Sequence, residues 1–149
     1  MVRIRCASSD DVETIAEFQL CMAMETEHLG LDREALYAGV RAILKDPRKG
    51  RYWVADVDGQ VVGSLLVTPE WSDWRNGSFW WIQSLYVREE YRRQGVFRKL
   101  FGHLQQLVQS NGGVLGLRLY VATTNAAAQR AYEAMGMNGQ HYRMYEWVK

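Results

Sequence analysis

The stretch Gln83 to Leu100, QSLYVREEYRRQGVFRKL, decides how this chain folds. It begins in an apolar strand, continues through a basic turn whose only glycine is Gly95, and takes on helical spacing from Phe97. A helix that follows such a turn leaves several backbone N–H groups without partners, and the positive end of its dipole lies beside them. The sequence therefore predicts a site for a phosphate-bearing anion at this turn.

The same turn is rich in basic side chains. They are Arg88, Arg92, Arg93, Arg98 and Lys99. These cations suit the negative charges of a diphosphate group. A run of charges is also typical of a solvated surface, so from the turn alone a solvated basic loop stays open as the alternative.

Strand and helix patterns alternate along the rest of the chain. Asp10 followed by Glu13 indicates a helix start. Asp58-Gly59 and Asn76-Gly77 are typical of hairpin turns, and Gly112-Gly113 stops a helix. The predicted elements are a strand at 2–6, a helix from residue 10, a helix at 32–45, strands at 51–57, 61–69 and 78–87, a helix at 97–109, a strand at 114–121, a helix at 125–135 and a strand at 140–148.

This order of elements predicts a mixed sheet with helices on both faces, which is an α/β or α+β fold. The connection from strand 78–87 through helix 97–109 to strand 114–121 is a crossover, so these two strands are expected to be parallel. The chain has 149 residues, of which nearly half are apolar. We therefore expect one domain over 1–149.

Composition excludes several classes of function. The formal net charge is +1, which argues against a broad nucleic-acid surface. Cys6 and Cys21 have no metal-ligand spacing, and we interpret them as reduced core thiols of a cytoplasmic protein. No apolar signal run or membrane-length apolar stretch is present, so no membrane partner is expected. His28, His103 and His141 are scattered, and no metal site is expected.

A second motif lies downstream, and the pair of motifs resembles the GNAT superfamily of acyl-CoA-dependent N-acetyltransferases. The family's phosphate motif is Arg or Gln, two residues, Gly, one residue, then Gly or Ala, and here it is Arg92 to Phe97. Its later motif is Asn, two residues, Ala, three residues, Tyr, three residues, Gly and an apolar residue. In this chain those positions are Asn125, Ala128, Tyr132, Gly136 and Met137.

The resemblance covers nearly the whole chain in element order. It implies a GNAT-like, mostly antiparallel sheet of six or seven strands with a central parallel pair. Phe97 departs from the family, which usually has a small residue there. Its backbone N–H can still donate to a phosphate, and we expect its ring to point into the core beside Leu100 and Phe101.

The resemblance also implies acetyl-CoA as the cofactor. Its pantetheine arm would pair with the strand residues Leu85, Tyr86 and Val87, and a backbone N–H of Leu85 or Tyr86 would polarise the thioester carbonyl. Core packing is the alternative for these strand side chains. The diphosphate would lie on the turn, whose binding residues are Arg92, Arg93, Gln94, Gly95, Val96, Phe97 and Arg98.

Two residues of the later motif would act near the reacting sulfur. Tyr132 stands at the family's general-acid position, where a hydroxyl can protonate the leaving thiolate. Its alternative is a core tyrosine beside Ala128, Ala131 and Met135. Asn125 would contact the cofactor arm, or would only cap its helix.

The attacking amine must lose its proton, so a carboxylate near the site is expected to act as base. An alkyl ammonium with a pKa of about 10.4 costs roughly 4–5 kcal/mol to neutralise at pH 7, and a carboxylate can accept that proton. Spacing alone does not choose among Glu25, Glu27, Glu70 and Asp73. We rank Glu27 and Glu70 highest, with an exposed acidic side chain as the alternative for each.

Aromatic and acidic residues near the second hairpin suggest where an acceptor binds. Trp71, Asp73 and Trp81, with Glu25 from the first helix, would suit a cationic amine through cation–π contacts and charge pairing. Trp80 and Trp81 are consecutive and must point to opposite faces of their strand. Because one indole then leaves the main core, we also expect self-association as a homodimer.

These features together predict an enzyme that moves an acetyl group from acetyl-CoA to a primary amine of a small molecule, by direct attack in a ternary complex. Two alternatives stay open. One is acetylation of a protein or peptide amine, and the other is a non-catalytic acyl-CoA-binding sensor. A nucleotide-triphosphate enzyme is not favoured, because no G-x-x-x-x-G-K-[ST] motif is present.

Overall fold

The computed structural model describes residues 1–149, which form two compact units, Met1–Arg118 and Leu119–Lys149. The first unit contains every strand and three helices, and the second contains one helix. The elements are β1 (Val2–Cys6), α1 (Val12–Glu27), α2 (Arg33–Lys45), β2 (Arg51–Val57), β3 (Gln60–Ser72), β4 (Gly77–Val87), α3 (Val96–Ser110), β5 (Val114–Arg118) and α4 (Ala126–Ala134). The single domain expected from chain length stays a prediction.

The five strands form one sheet in the order β1-β2-β3-β4-β5. The first four are antiparallel to their neighbours, and β4 and β5 are parallel from the pair Ser78–Val114 to the pair Trp81–Arg118. The predicted parallel pair is therefore confirmed. Its cause is the crossover through α3, which carries the chain back to the starting end of β4.

Helices cover both faces of the sheet because side chains alternate along each strand. Tyr52 and Val54 of β2 are buried in a cluster with residues of α1 and α2. Trp53, between them, points the other way, and its ring centroid lies 4.6 Å from that of His103 on α3. Leu100 and Leu104 of α3 are fully buried, and each such side chain contributes about 1.5–3 kcal/mol to folding.

The prediction of six or seven strands is wrong, since the sheet has five. Residues 140–148, predicted as the last strand, form no strand, and the Trp147 side chain is 92% exposed. Their sequence is strand-like, but a strand requires a neighbour for its backbone N–H and C=O groups. β5 also ends at Arg118 instead of residue 121, and the parallel pair lies at the sheet edge instead of its centre. The prediction that Cys6 and Cys21 lie in the core is wrong as well, since both are exposed.

The entry into α1 is stabilised by a half-buried ion pair. The two guanidinium nitrogens Nη1 and Nη2 of Arg5 donate to Asp11 at 2.8 and 3.0 Å, and the Ser8 N–H donates to the same carboxylate at 2.7 Å. Burial alone would raise the pKa of Asp11, but the hydrogen bonds from Arg5 and Ser8 outweigh it and hold the pKa below its usual range. The charged carboxylate is therefore part of the folded structure.

Replacing Asp11 by Asn is expected to lower the free energy of unfolding at pH 7 by about 3 kcal/mol, because Arg5 loses its bidentate partner. A lowered folded-state pKa stabilises the fold above the unfolded-state pKa, near 3.9, and that stabilisation is lost as pH falls through the folded value. The difference in the free energy of unfolding between the natural protein and Asp11→Asn should therefore shrink below pH 4. Urea unfolding at pH 7 and pH 3 measures this, with Asp10→Asn at an exposed neighbouring position as the control.

No helix is both long and apolar enough to span a bilayer.

Candidate active site

One edge of β4 is left without a neighbouring strand. β4 pairs with β5 only from Ser78 to Trp81, whereas its pairing with β3 on the other side continues to Val87. Between Ile82 and Val87 this edge of β4 therefore has no neighbouring strand to pair with its backbone groups. Such an edge can bind an extended ligand in the manner of an added strand.

The hydrogen-bond pattern of β3 and β4 determines which amides face the free edge. The Arg88 N–H donates to the Val62 carbonyl at 2.9 Å, so these two residues face each other across the ladder. In an antiparallel pair, successive residues of a strand direct their N–H and C=O groups alternately toward the neighbouring strand and away from it. The Tyr86 N–H therefore faces β3, while the N–H groups of Leu85 and Val87 face the free edge. Of the two residues that the sequence left open, the geometry favours Leu85 as the donor.

The predicted phosphate turn connects β4 to α3. A short 3₁₀ turn at Glu89–Tyr91 is followed by a tight turn in which Arg93 and Gly95 are left-handed, with φ of 61° and 83°. The Lys99 N–H donates to the Gly95 carbonyl at 3.0 Å as the first bond of the helix. The N–H groups before it therefore lie at the start of α3, where helix geometry provides no partner for them.

The outer side of this turn is open and positively charged. A Cβ atom placed on Gly95 would meet no atom within 4 Å. Arg93, Arg98 and Lys99 are exposed and form no ion pair. Gln94 is exposed as well, and its side chain donates to the Glu90 carbonyl at 2.7 Å. Exposed cations beside helix-start amides fit a diphosphate group.

The apolar residues of the turn anchor it to the core. Val96 is 2% exposed. The ring of Phe97 lies 6.0 Å from that of Phe101, centroid to centroid, so it packs beside Phe101 as predicted. Its bulk is therefore directed along α3, and the bulky residue at this position is compatible with an open turn.

Arg92 differs from the other cations of the turn because its charge is already paired. Its Nε donates to the Val87 carbonyl at 2.9 Å, and its Nη2 lies 2.7 Å from Glu25 Oε2 at the end of α1. The guanidinium also stacks over the Tyr86 ring at 5.3 Å. The structure thus brings together Arg92, predicted to bind the cofactor, and Glu25, predicted to bind the acceptor.

Tyr86 completes this cluster. Its hydroxyl donates to Glu25 Oε1 at 3.2 Å, and its ring lies 5.0 Å from that of Phe18. Burial, with the nearby Cys21 and Glu25, raises the pKa of Tyr86 to about 12, so the hydroxyl keeps its proton and can donate it to the carboxylate. The cluster joins α1 to the phosphate turn across 67 residues of sequence, and no local pattern could have revealed it.

The two carboxylates ranked as bases lie in different surroundings. Glu27 is the last residue of α1 and is exposed. Glu70 lies on β3, where the Arg118 Nη1 donates to it at 2.7 Å, and Arg118 also lies 3.6 Å above the Phe79 ring. Tyr86 pairs with Ser64, and Glu70 is six residues further along β3, or roughly 20 Å. The structure does not bring Glu70 to the Glu25 cluster.

The residues predicted to bind the acceptor do not form one cluster. Trp81 pairs with Thr68 on β3, and Trp80 pairs with Pro69, so the two indoles lie on opposite faces as predicted. Trp71 shares the Trp80 face and is 64% exposed. Asp73 lies in the turn after β3, where it accepts the Trp74 N–H at 2.9 Å. Among these residues only Trp81 shares its face with Glu70.

The second unit contains the later motif, and its spacing has a local explanation. Asn125 caps α4, because its side-chain oxygen accepts the Ala128 N–H at 3.1 Å. Gly136, with φ of 90°, ends the helix, and the Met137 N–H donates to the Tyr132 carbonyl at 3.1 Å. These are the start and stop of a short helix. Tyr132 lies between them, and burial raises the pKa of its hydroxyl.

A strand with a free edge that runs into a basic turn and the start of a helix has the geometry to bind an extended, phosphate-bearing cofactor. Residues 13–137 match the model of the acetyltransferase (GNAT) family. The chain therefore belongs to this family of acetyl-CoA-dependent N-acetyltransferases.

Individual relatives agree with this assignment. An uncharacterised N-acetyltransferase of Methanocaldococcus jannaschii is 34% identical over 85 residues, which are 57% of this chain and 51% of that protein. The chain thus matches about half the length of this curated relative. The crystal structure of a possible acetyltransferase from Clostridium difficile 630 is 45% identical, with a TM-score of 0.95 over 100% of this chain and 98% of that one.

A more distant structure shares the fold. An aminoglycoside N-acetyltransferase in complex with CoA is 16% identical, with a TM-score of 0.81 over 100% of this chain and 95% of that one. At this identity the likeness concerns the fold alone, and it says nothing about the acceptor of this chain.

Proposed function

We propose that this protein transfers the acetyl group of acetyl-CoA to a primary amine of a small molecule, by direct attack while both are bound. The observation that carries the proposal is the free edge of β4 between Ile82 and Val87, which leads directly into the anion-binding turn before α3. Acetyl-CoA supplies the activated thioester when it is bound. The residues of this chain bind it, orient it and move protons.

Backbone groups of β4 would hold the cofactor arm. The outward N–H group of Val87 can donate to an amide carbonyl of this arm, while Leu65, the neighbour of Leu85 on β3, keeps the strand anchored in the core. The Leu85 N–H would also face the carbonyl oxygen on which negative charge develops. A fixed backbone donor stabilises such a charge without needing to reorganise.

The turn would hold the diphosphate. Its donors are the N–H groups at the start of α3, and its counter-charges are the exposed Arg93 and Arg98. Arg92 has a different task in this proposal. Because it binds the Val87 carbonyl and Glu25, it positions the turn against β4 and α1 instead of contacting a phosphate.

Proton transfer would use one carboxylate and Tyr132. Both oxygens of Glu25 accept hydrogen bonds, from Arg92 and from Tyr86, whereas Arg118 donates to one oxygen of Glu70. Glu27 and Glu70 are therefore the proposed bases. Of these, Glu70 shares its face of the sheet with Trp81, whose indole can contact a cationic amine. Tyr132 would protonate the leaving sulfur, with Asn125 fixing the start of its helix.

Titration calorimetry with acetyl-CoA, followed by an amine screen for release of free thiol, tests the function. We expect saturable binding, with Gly95→Ala weakening it about tenfold. An L residue at this left-handed φ is strained by roughly 1–3 kcal/mol, so the free turn should relax away from the conformation that binds the cofactor. Gly102→Ala is the matched control inside α3, where an added Cβ meets no atom. Binding without thiol release for any amine would favour the sensor, and no binding of any CoA species would refute the proposal.

A further inference from the structure

A cavity of about 660 Å³ lies on the α3 face of the sheet, outside the candidate active site. It is bounded by the end of α3 at Leu107 and Ser110 and by residues of β2, β3 and β4. The phosphate turn is at the opposite end of α3, roughly 20 Å away along the helix. The volume is in the range of small-molecule sites, which is about 300–1,000 Å³.

Two indoles form the walls of this cavity. Trp53 comes from β2 and Trp80 from β4, and both are half-buried. The Trp53 indole is held from behind by the His103 ring in an edge-on contact, and Trp80 lies opposite Pro69 in the β3–β4 ladder. Partly exposed aromatic faces favour a flat aromatic ligand, which can stack on them.

The charge at the cavity is positive. Arg51 lines it, is exposed and forms no ion pair, and the residues that line the cavity include no Asp or Glu. The end of α3 contributes about half a negative charge through its carbonyl groups. The full positive charge of Arg51 exceeds this, so the cavity favours an anion over a cation. A guanidinium matches the two oxygens of a carboxylate.

We propose that this cavity is a second ligand site, which binds a planar aromatic carboxylate against the indoles lining it, those of Trp53 and Trp80, with its carboxylate on Arg51. The site is independent of acetyl transfer, because it shares no residue with the β4 edge or with the phosphate turn.

Titration calorimetry with 2-naphthoate and its neutral amide tests the proposal on the full chain. We expect the carboxylate to bind at least tenfold more tightly than the amide. Arg51→Gln should remove that difference, whereas Arg48→Gln should keep it, because Arg48 is paired with Asp46 and does not line the cavity. Equal affinity for acid and amide in the natural protein would overturn the charge assignment.

Filling the cavity with a larger side chain is the second test of the proposal. Leu107→Trp, or Ser110→Trp should the first variant fail to fold, is expected to abolish naphthoate binding while the affinity for acetyl-CoA stays within twofold. Naphthoate binding that survives in a folded filled variant would place the ligand elsewhere and overturn the site. If sedimentation shows a dimer that the filled variant loses, the cavity belongs to contact between two copies, and the ligand proposal is wrong.

Discussion

Replacing Tyr132 by Phe is expected to lower kcat by about 10²–10³-fold, as for loss of a positioned general acid, with the affinity for acetyl-CoA changed less than about twofold. The proposed role is protonation of the leaving sulfur. Burial raises the pKa of Tyr132, so the phenol remains protonated throughout the neutral range and can serve as the acid. The substitution removes one oxygen and keeps the ring, and therefore the packing of α4.

Steady-state kinetics and calorimetry on the same preparation measure this result. Tyr142→Phe is the matched control, because it makes the same change in the same unit at a side chain that is 77% exposed. It should leave kcat unchanged. A large loss of acetyl-CoA affinity in Tyr132→Phe at unchanged kcat would show that the hydroxyl binds the cofactor and would exclude the acid role.

Local features of this chain were predictable because short-range chemistry determines them. Asp58 and Gly59 are the two residues between β2 and β3, as a tight hairpin requires. Asn125 caps α4 because its amide reaches the Ala128 N–H. The turn around Gly95 was predictable for the same reason, since glycine accommodates the left-handed φ of 83° that this turn adopts. Each of these features depends on residues within a few positions of one another.

Features that depend on tertiary placement were missed. The ion pair of Glu25 with Arg92 exists because the end of α1 passes beside the phosphate turn, and the pair of Glu70 with Arg118 depends on where β5 lies beside β4. The prediction of a last strand was wrong for a related reason. Its side-chain pattern is local, but its partner is not, and residues 140–148 have no strand beside them.

The register of β3 and β4 leads to the second large prediction. Replacing Leu85 by Pro removes one backbone N–H, and the ladder places that N–H on the free edge. Proline is tolerated where the lost N–H faces away from the neighbouring strand. We expect the fold to persist and kcat to fall by about 10²–10³-fold, as for loss of a donor to a developing oxyanion. Leu85→Val retains the N–H and should retain most of the activity.

Tyr86→Pro supplies the structural contrast. Its N–H faces β3, so proline there removes a ladder hydrogen bond and leaves a β3 carbonyl unpaired, which should cost about 1–3 kcal/mol of folding free energy. The two proline variants, one residue apart, therefore separate catalysis from folding. Thermal unfolding measures the stability of each variant, and single-turnover acetyl transfer measures its catalysis. A Leu85→Pro protein that is folded and fully active would show that the charge is stabilised elsewhere, whereas an unfolded Leu85→Pro beside a stable Tyr86→Pro would contradict the assigned ladder.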